Sequence, residues 1–106
     1  MIDALKDCKL DHIAMAVENL EDGKSIYSQI GLIFKTETEI VESQNVEVAF
    51  AQVDTHSKIE LLAPLSSEGP IAKYLEKSGP GIHHICFRVK NVVEKSKELV
   101  SLGHKL

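Results

Sequence analysis

The chain has 106 residues, 43% of them hydrophobic and 26% charged, with a formal net charge of −4. That is enough for one compact domain with a modest core, and it excludes a disordered or collagen-like chain. No basic patch marks a DNA or RNA partner. The longest apolar run, residues 13–17, has five residues against the about 20 that cross a bilayer, so no membrane partner is expected.

At the N-terminus, Asp3 and Asp7 and the lack of a long apolar stretch argue against a signal peptide. Residues 10–17 alternate and are apolar-rich, and they predict a strand. Asn19 is a good N-cap with Asp22 three residues on, and Gly31 suits a left-handed helix end, so a helix is expected over residues 20–30. Strands are expected over 34–41, 46–53 and 57–62, with turn chemistry at residues 54–57 and Pro64 ending the last of them. A loop at 66–69, a short helix over 70–77 and a sharp return at 79–81 lead to a further strand over 82–89. Asn91, Glu94 and Gly103 then bound a helix over 92–102. Cys8 and Cys86 make no disulfide framework, so a reducing cytoplasm is the expected compartment.

Sliding the chain on itself by 72 residues superposes His12 on His84, Ile13 on Ile85, Val17 on Val89, Asn19 on Asn91 and Gly31 on Gly103 without a gap. The matched caps point to a duplicated unit. The expected architecture is α+β, with paired βαβββ units in an open, cupped mixed sheet and helices on its outer face. Residues 9–65 form the first unit, 66–81 a connector, and 82–106 the start of a second unit that is incomplete here.

Strand alternation places Ile13, Met15 and Val17 on one face, under the helices, and His12, Ala14 and Ala16 on the other. In the repeat His84, Cys86 and Arg88 share that second face, and Glu60 can join it from the strand over 57–62. A lone sheet histidine is ordinarily just a hydrogen-bonded structural residue, and a lone strand glutamate a solvated charge. Two histidines at equivalent positions of a repeat, beside a carboxylate and small residues, instead suit a divalent metal with N and O ligands. The repeat also predicts a counterpart of Glu60 near position 132, past the last residue of this chain. His83 is expected on the opposite face in a packing role, and His56 and His104 to be solvated. No general base accompanies Cys86, which argues against a thiol nucleophile. Arg88 suits an anionic substrate group or an ion pair at the rim.

The segments Leu10-Asp11-His12-Ile13-Ala14, Lys58-Ile59-Glu60-Leu61-Leu62-Ala63-Pro64-Leu65, Pro70-Ile71-Ala72-Lys73-Tyr74-Leu75 and Gly81-Ile82-His83-His84-Ile85 resemble the vicinal oxygen chelate superfamily, the glyoxalase, bleomycin resistance and dioxygenase group. Within it they look most like the methylmalonyl-CoA epimerase family, over nearly the whole chain. The resemblance implies that His12, Glu60 and His84 are ligands of one divalent ion, cobalt, nickel, zinc or manganese, with a fourth glutamate from a last strand that this chain lacks. It implies an acyl-CoA thioester substrate, a homodimer, and epimerisation through an enolate stabilised by the ion. Glu60 is then the candidate catalytic carboxylate, and Arg88 the candidate substrate-binding residue. Certain epimerases carry a proton-transfer acid where this chain has Val48; Glu47 is one residue off and would face the other way.

Glutamate at position 60 also fits a glyoxalase I-type lactoylglutathione lyase. A catalytically incomplete ligand-binding module of the same superfamily is the third reading, since the fourth ligand is absent.

Overall fold

The computed structural model describes residues 8–105; residues 1–7, with the Asp3 and Asp7 of the signal-peptide argument, and Leu106 lie outside the described residues. In chain order the elements are β1 (Cys8–Ala16), α1 (Leu20–Ser28), β2 (Glu39–Val41), β3 (Val46–Gln52), β4 (Lys58–Pro64), α2 (Pro70–Ser78), β5 (Gly81–Val89) and α3 (Val92–Ser101). They build one open mixed sheet in the order β2-β3-β4-β1-β5. Strand β1 runs parallel to β4 and antiparallel to β5, so the strands that start the two repeats pair with each other, with β5 at the sheet edge. The expected α+β class and open mixed sheet are present.

The repeated caps behave alike because their chemistry is alike. Asn19 accepts from the Asp22 amide at 2.8 Å, and Asn91 accepts from the Glu94 amide at 3.1 Å, each satisfying one of the orphan donors of a first helical turn. Gly31 and Gly103 both close their helices at φ 97°, a conformation costly for any residue with a Cβ.

Two apolar layers sandwich the sheet. On one face Val17, Ala49, Leu61 and Ala63 pack with Met15 and Ile59 beneath Leu20 and Tyr27 of α1. On the other, Ala14, Ala16, Val46, Val48 and Leu62 pack beneath Ile71 and Leu75 of α2. The small Ala14 and Ala16 therefore make room for α2, and the open part of that face is left at the His12 end of β1. Helix α1 can approach β1 and β4 closely because Gly23 is there: a Cβ would stand 3.0 Å from Leu61 Cδ1 and 3.1 Å from Val17 Cγ1. A Gly23→Val substitution is expected to lower unfolding stability by about 1–3 kcal/mol through overpacking, measured as a shift of the urea midpoint.

Two strand boundaries depart from expectation. Residues 34–41 do not form one strand: Phe34 makes a single bridge to Ala51, and pairing resumes only at Glu39. Residues 35–38 are exposed and polar at the sheet edge, so little apolar burial holds the pairing there. Strand β4 continues through Pro64, opposite Val46. Proline is tolerated at a strand end, and the chain is anchored beyond it by the Leu65 amide donating to the Asn45 carbonyl at 3.0 Å.

Candidate metal centre

The β1–β5 pairing carries the geometry of the site. Ile13 stands opposite Ile85, His12 opposite Cys86, and Ala14 opposite His84. Ile13 and Ile85 are equivalent residues of the repeat, and the other two pairs are one pair seen from each unit. A pseudo-twofold axis thus passes between Ile13 and Ile85, and it sets His12 and His84 side by side across the strands. The register shifts once between Leu10 and His12 and once between Ala14 and Met15, so Asp11 on β1 and His83 on β5 are the unpaired residues of two β-bulges. They too are equivalent residues of the repeat. A bulge turns its side chain out of the alternating pattern, and bulges commonly re-aim residues beside functional sites.

At the axis the histidine Nε2 atoms lie 3.2 Å apart, with the rings edge to face. The opposite edge of His12 is held by the Asp11 carboxylate, its Oδ2 2.7 Å from Nδ1, with Glu60 Oε2 3.3 Å from the same nitrogen. The opposite edge of His84 meets His83, Nδ1 to Nδ1, at 2.9 Å. Tyr74 of α2 stands edge-on to the His83 ring at 5.0 Å and donates its hydroxyl hydrogen to the Ile82 carbonyl, pinning the second bulge. Arg88 donates from β5 to the Asp11 carboxylate, pinning the first. The ammonium of Lys58 lies 3.9 Å from Glu60 Oε2 and over the Phe50 ring.

Hydrogen bonds from His12 and then from Arg88 hold the Asp11 carboxyl below its ordinary pKa. His84 is also lowered, first by partial burial and then by the neighbouring His83 and His12, while Glu60 acts the other way. Both shifts favour the forms that ligate, an ionised carboxylate and a neutral imidazole.

His12 is thus the hub that the expected set shares, touching His84 on one edge and Glu60 on the other. Among the described residues, the three-donor group whose ligand atoms all lie within 4.8 Å of one another is a different one, Asp11, His12 and Cys86. Cys86 was read from the sequence as lying on the site face. Asp11 was not singled out, and His83 was expected to face away; both reach the site through bulges that strict alternation does not contain. Arg88 forms an ion pair with Asp11, and its side chain remains 65% exposed. Glu47 pairs opposite Ala63, on the face away from Glu60, and accepts from Thr38 at the sheet edge.

The two converging histidines fit a divalent ion as a pair of ligands, while Glu60 lies at the other edge of His12. Two nitrogens each about 2 Å from one ion at a tetrahedral angle stand about 3.3 Å apart. The 3.2 Å between the two Nε2 atoms matches that spacing, with carboxylate and thiol donors close by.

Residues 11–106 match the Glyoxalase/Bleomycin resistance protein/Dioxygenase superfamily. The uncharacterized protein YqjC of Bacillus subtilis is 41% identical over 92 residues, covering 86% of this chain and 64% of its own. The mitochondrial methylmalonyl-CoA epimerase of Homo sapiens is 36% identical over 104 residues, covering 92% of this chain and 58% of its own. The crystal structure of methylmalonyl-CoA epimerase from Mycobacterium tuberculosis superposes with a TM-score of 0.75 at 34% identity, covering 91% of this chain and 65% of that one. This chain therefore spans less than two thirds of the length of each of these three proteins.

Proposed function

The chain belongs to the glyoxalase/bleomycin resistance protein/dioxygenase superfamily, and from that premise we propose that it acts in the metal-dependent epimerisation of methylmalonyl-CoA or a close acyl-CoA relative. The observation that carries the proposal is the convergence of His12 and His84 at the pseudo-twofold axis, with Glu60 at the other edge of the His12 ring, in a chain similar to proteins of that activity. His12, Glu60 and His84 would hold the ion. Bound there, a divalent cation would supply electrostatic stabilisation for the negative charge that develops on the thioester oxygen as the neighbouring carbon loses its proton.

The chain's own residues divide the remaining work. Glu60, largely shielded at 13% side-chain exposure, is the carboxylate positioned to take or return a proton at its Oε atoms. Arg88 is exposed at the rim and suits the free carboxylate of the substrate, with Asp11 fixing the guanidinium. Inversion needs removal of the proton from one face of carbon 2 and delivery of a proton to the other by a second acid, a partner that Glu60 alone does not supply, and it involves no redox change. Glu47 takes no part, because it lies across the sheet.

The test is exchange of solvent deuterium into carbon 2 of methylmalonyl-CoA, with interconversion of the (R) and (S) forms. Exchange is expected with cobalt(II) or zinc(II) present and not after chelation. Metal binding without exchange would favour the binding-module reading, and turnover of a glutathione hemithioacetal the lyase reading.

A homodimer is proposed as well. Strand β5 is a sheet edge, and Ile82, Ile85 and Phe87 on it are each more than half exposed. Light scattering at tens of micromolar is expected to give twice the chain mass, and a monomeric mass would oppose it. The free Cys8 and Cys86 suit a reducing compartment such as the cytoplasm, and no helix among the described residues is long and apolar enough to cross a membrane.

A further inference from the structure

The two bulges give the converging histidines unlike partners at like positions. Asp11 and His83 are equivalent in the repeat, each is the unpaired residue of its bulge, and each touches the Nδ1 edge of the histidine that follows it. A carboxylate can only accept, whereas a neutral imidazole nitrogen either donates or accepts according to its tautomer. With 3.2 Å between the Nε2 atoms, two lone pairs cannot face each other without a proton or a cation between them.

We propose that Asp11 and His83 are positioning residues that set the tautomers of the two converging histidines, Asp11 fixing His12 and His83 letting His84 change. Asp11 accepts the Nδ1 hydrogen of His12 and so keeps the Nε2 lone pair of that ring turned to the axis. In the metal-free chain His84 donates from Nε2 to this lone pair, and His83 donates from Nδ1 to His84. With a cation at the axis, the His84 hydrogen resides on Nδ1 and is accepted by His83 Nδ1, while the His83 hydrogen resides on Nε2. Each ring carries one hydrogen in both states, so no proton is gained or lost. A carboxylate at position 83 could not serve both states, and an imidazole at position 11 would leave His12 unfixed. The edge contact of Tyr74 and its bond to the Ile82 carbonyl hold the His83 ring at its post through this change.

The part concerning the cation rests on the metal-centre reading above, and the experiment separates the two. Two-bond proton–nitrogen correlation spectra of the chain carrying nitrogen-15 histidine are recorded where the rings are neutral, without metal and with zinc(II). The expected result is His12 protonated on Nδ1 in both, and His84 passing from the Nε2–H to the Nδ1–H form on zinc addition. Asp11→Ala and His83→Phe are expected to weaken zinc binding about 10–100-fold. Asp11→Asn, whose amide oxygen still accepts, retains most of the affinity, which a charge-only role would not produce, and the His12 tautomer is the readout that a merely structural role would not move. Amide fingerprint spectra verify that each variant is folded. A folded wild-type chain with His12 protonated on Nε2, or an Asp11→Ala variant binding zinc as tightly as wild type, would overturn the proposal. If the wild-type chain binds no zinc, the metal-centre reading fails, and the His12 tautomer in the metal-free chain still decides the role of Asp11.

Discussion

A His12→Ala chain is expected to lose divalent-metal binding altogether on the micromolar scale, a fall in affinity beyond the about 100-fold that outer-sphere changes produce. His12 is the residue on which every arrangement of donors depends. Its Nε2 faces His84, its Nδ1 edge faces Asp11 and Glu60, and it belongs to the compact Asp11, His12 and Cys86 group. His84→Ala removes only one of those arrangements, so it is expected to bind more weakly than wild type yet more tightly than His12→Ala. Titration with cobalt(II), followed by its visible absorption, reads both, and a thiolate charge-transfer band in His84→Ala would identify Cys86 as a remaining donor. Equal affinities in His12→Ala and the wild type would dismiss the site.

The pH dependence of this binding has a defined sign. The folded-state pKa of His84 lies below its ordinary value, so its neutral ring persists further into acid. Metal affinity falls as pH drops through that lowered pKa. The same shift makes protonation more favourable in the unfolded chain, so stability also declines as pH falls below the ordinary histidine value. At neutral pH and above, this contribution is constant.

The largest stability loss is expected from Leu61→Ala, about 2–5 kcal/mol. Among the described residues Leu61 is the largest side chain buried completely, at 0% exposure, and it sits between β4 and α1 where Gly23 and Val17 close over it. The close approach of helix and sheet was built around this side chain, so the gap it leaves can collapse only in part. Small domains hold about 5–15 kcal/mol in all, and such a loss takes a large share. The urea midpoint of the variant measures it, with an unchanged slope showing that both chains unfold in the same manner. A loss below about 1 kcal/mol would mean that the layer under α1 contributes little to holding the sheet together.

Much of this fold was legible in the residues. Asn19 with Asp22 and Asn91 with Glu94 announced both helix starts, and Gly31 with Gly103 announced the ends, because capping chemistry is local. The alternation of Met15 and Val17 with Ala14 and Ala16 correctly separated the two faces of β1. What alternation could not reveal was which helix lies where. Helix α2 covers Ala14 and Ala16 on the same face as the histidines, a placement decided by tertiary packing across more than fifty residues of chain. Nor did it reveal the bulges. An extra residue in one strand leaves a period-two pattern readable on either side and carries no signal of its own, so Asp11 and His83 entered the site unannounced. One hint was present: the pair of adjacent histidines, His83 and His84, cannot both obey alternation and both meet one site.

The self-matching register of β1 and β5 has an ancestral consequence. Because Ile13 meets its own counterpart, the seam between the units is isologous, the kind two identical subunits make about a twofold axis. Two separate single-unit chains would pair through this seam in the same register and bring two histidines together with no further invention. They could not, however, give those histidines different neighbours, since every subunit would carry the same residue before its histidine. A single chain that carries both units is free of that restriction. The aspartate at position 11 and the histidine at position 83 make a site symmetric in its frame and handed in its chemistry.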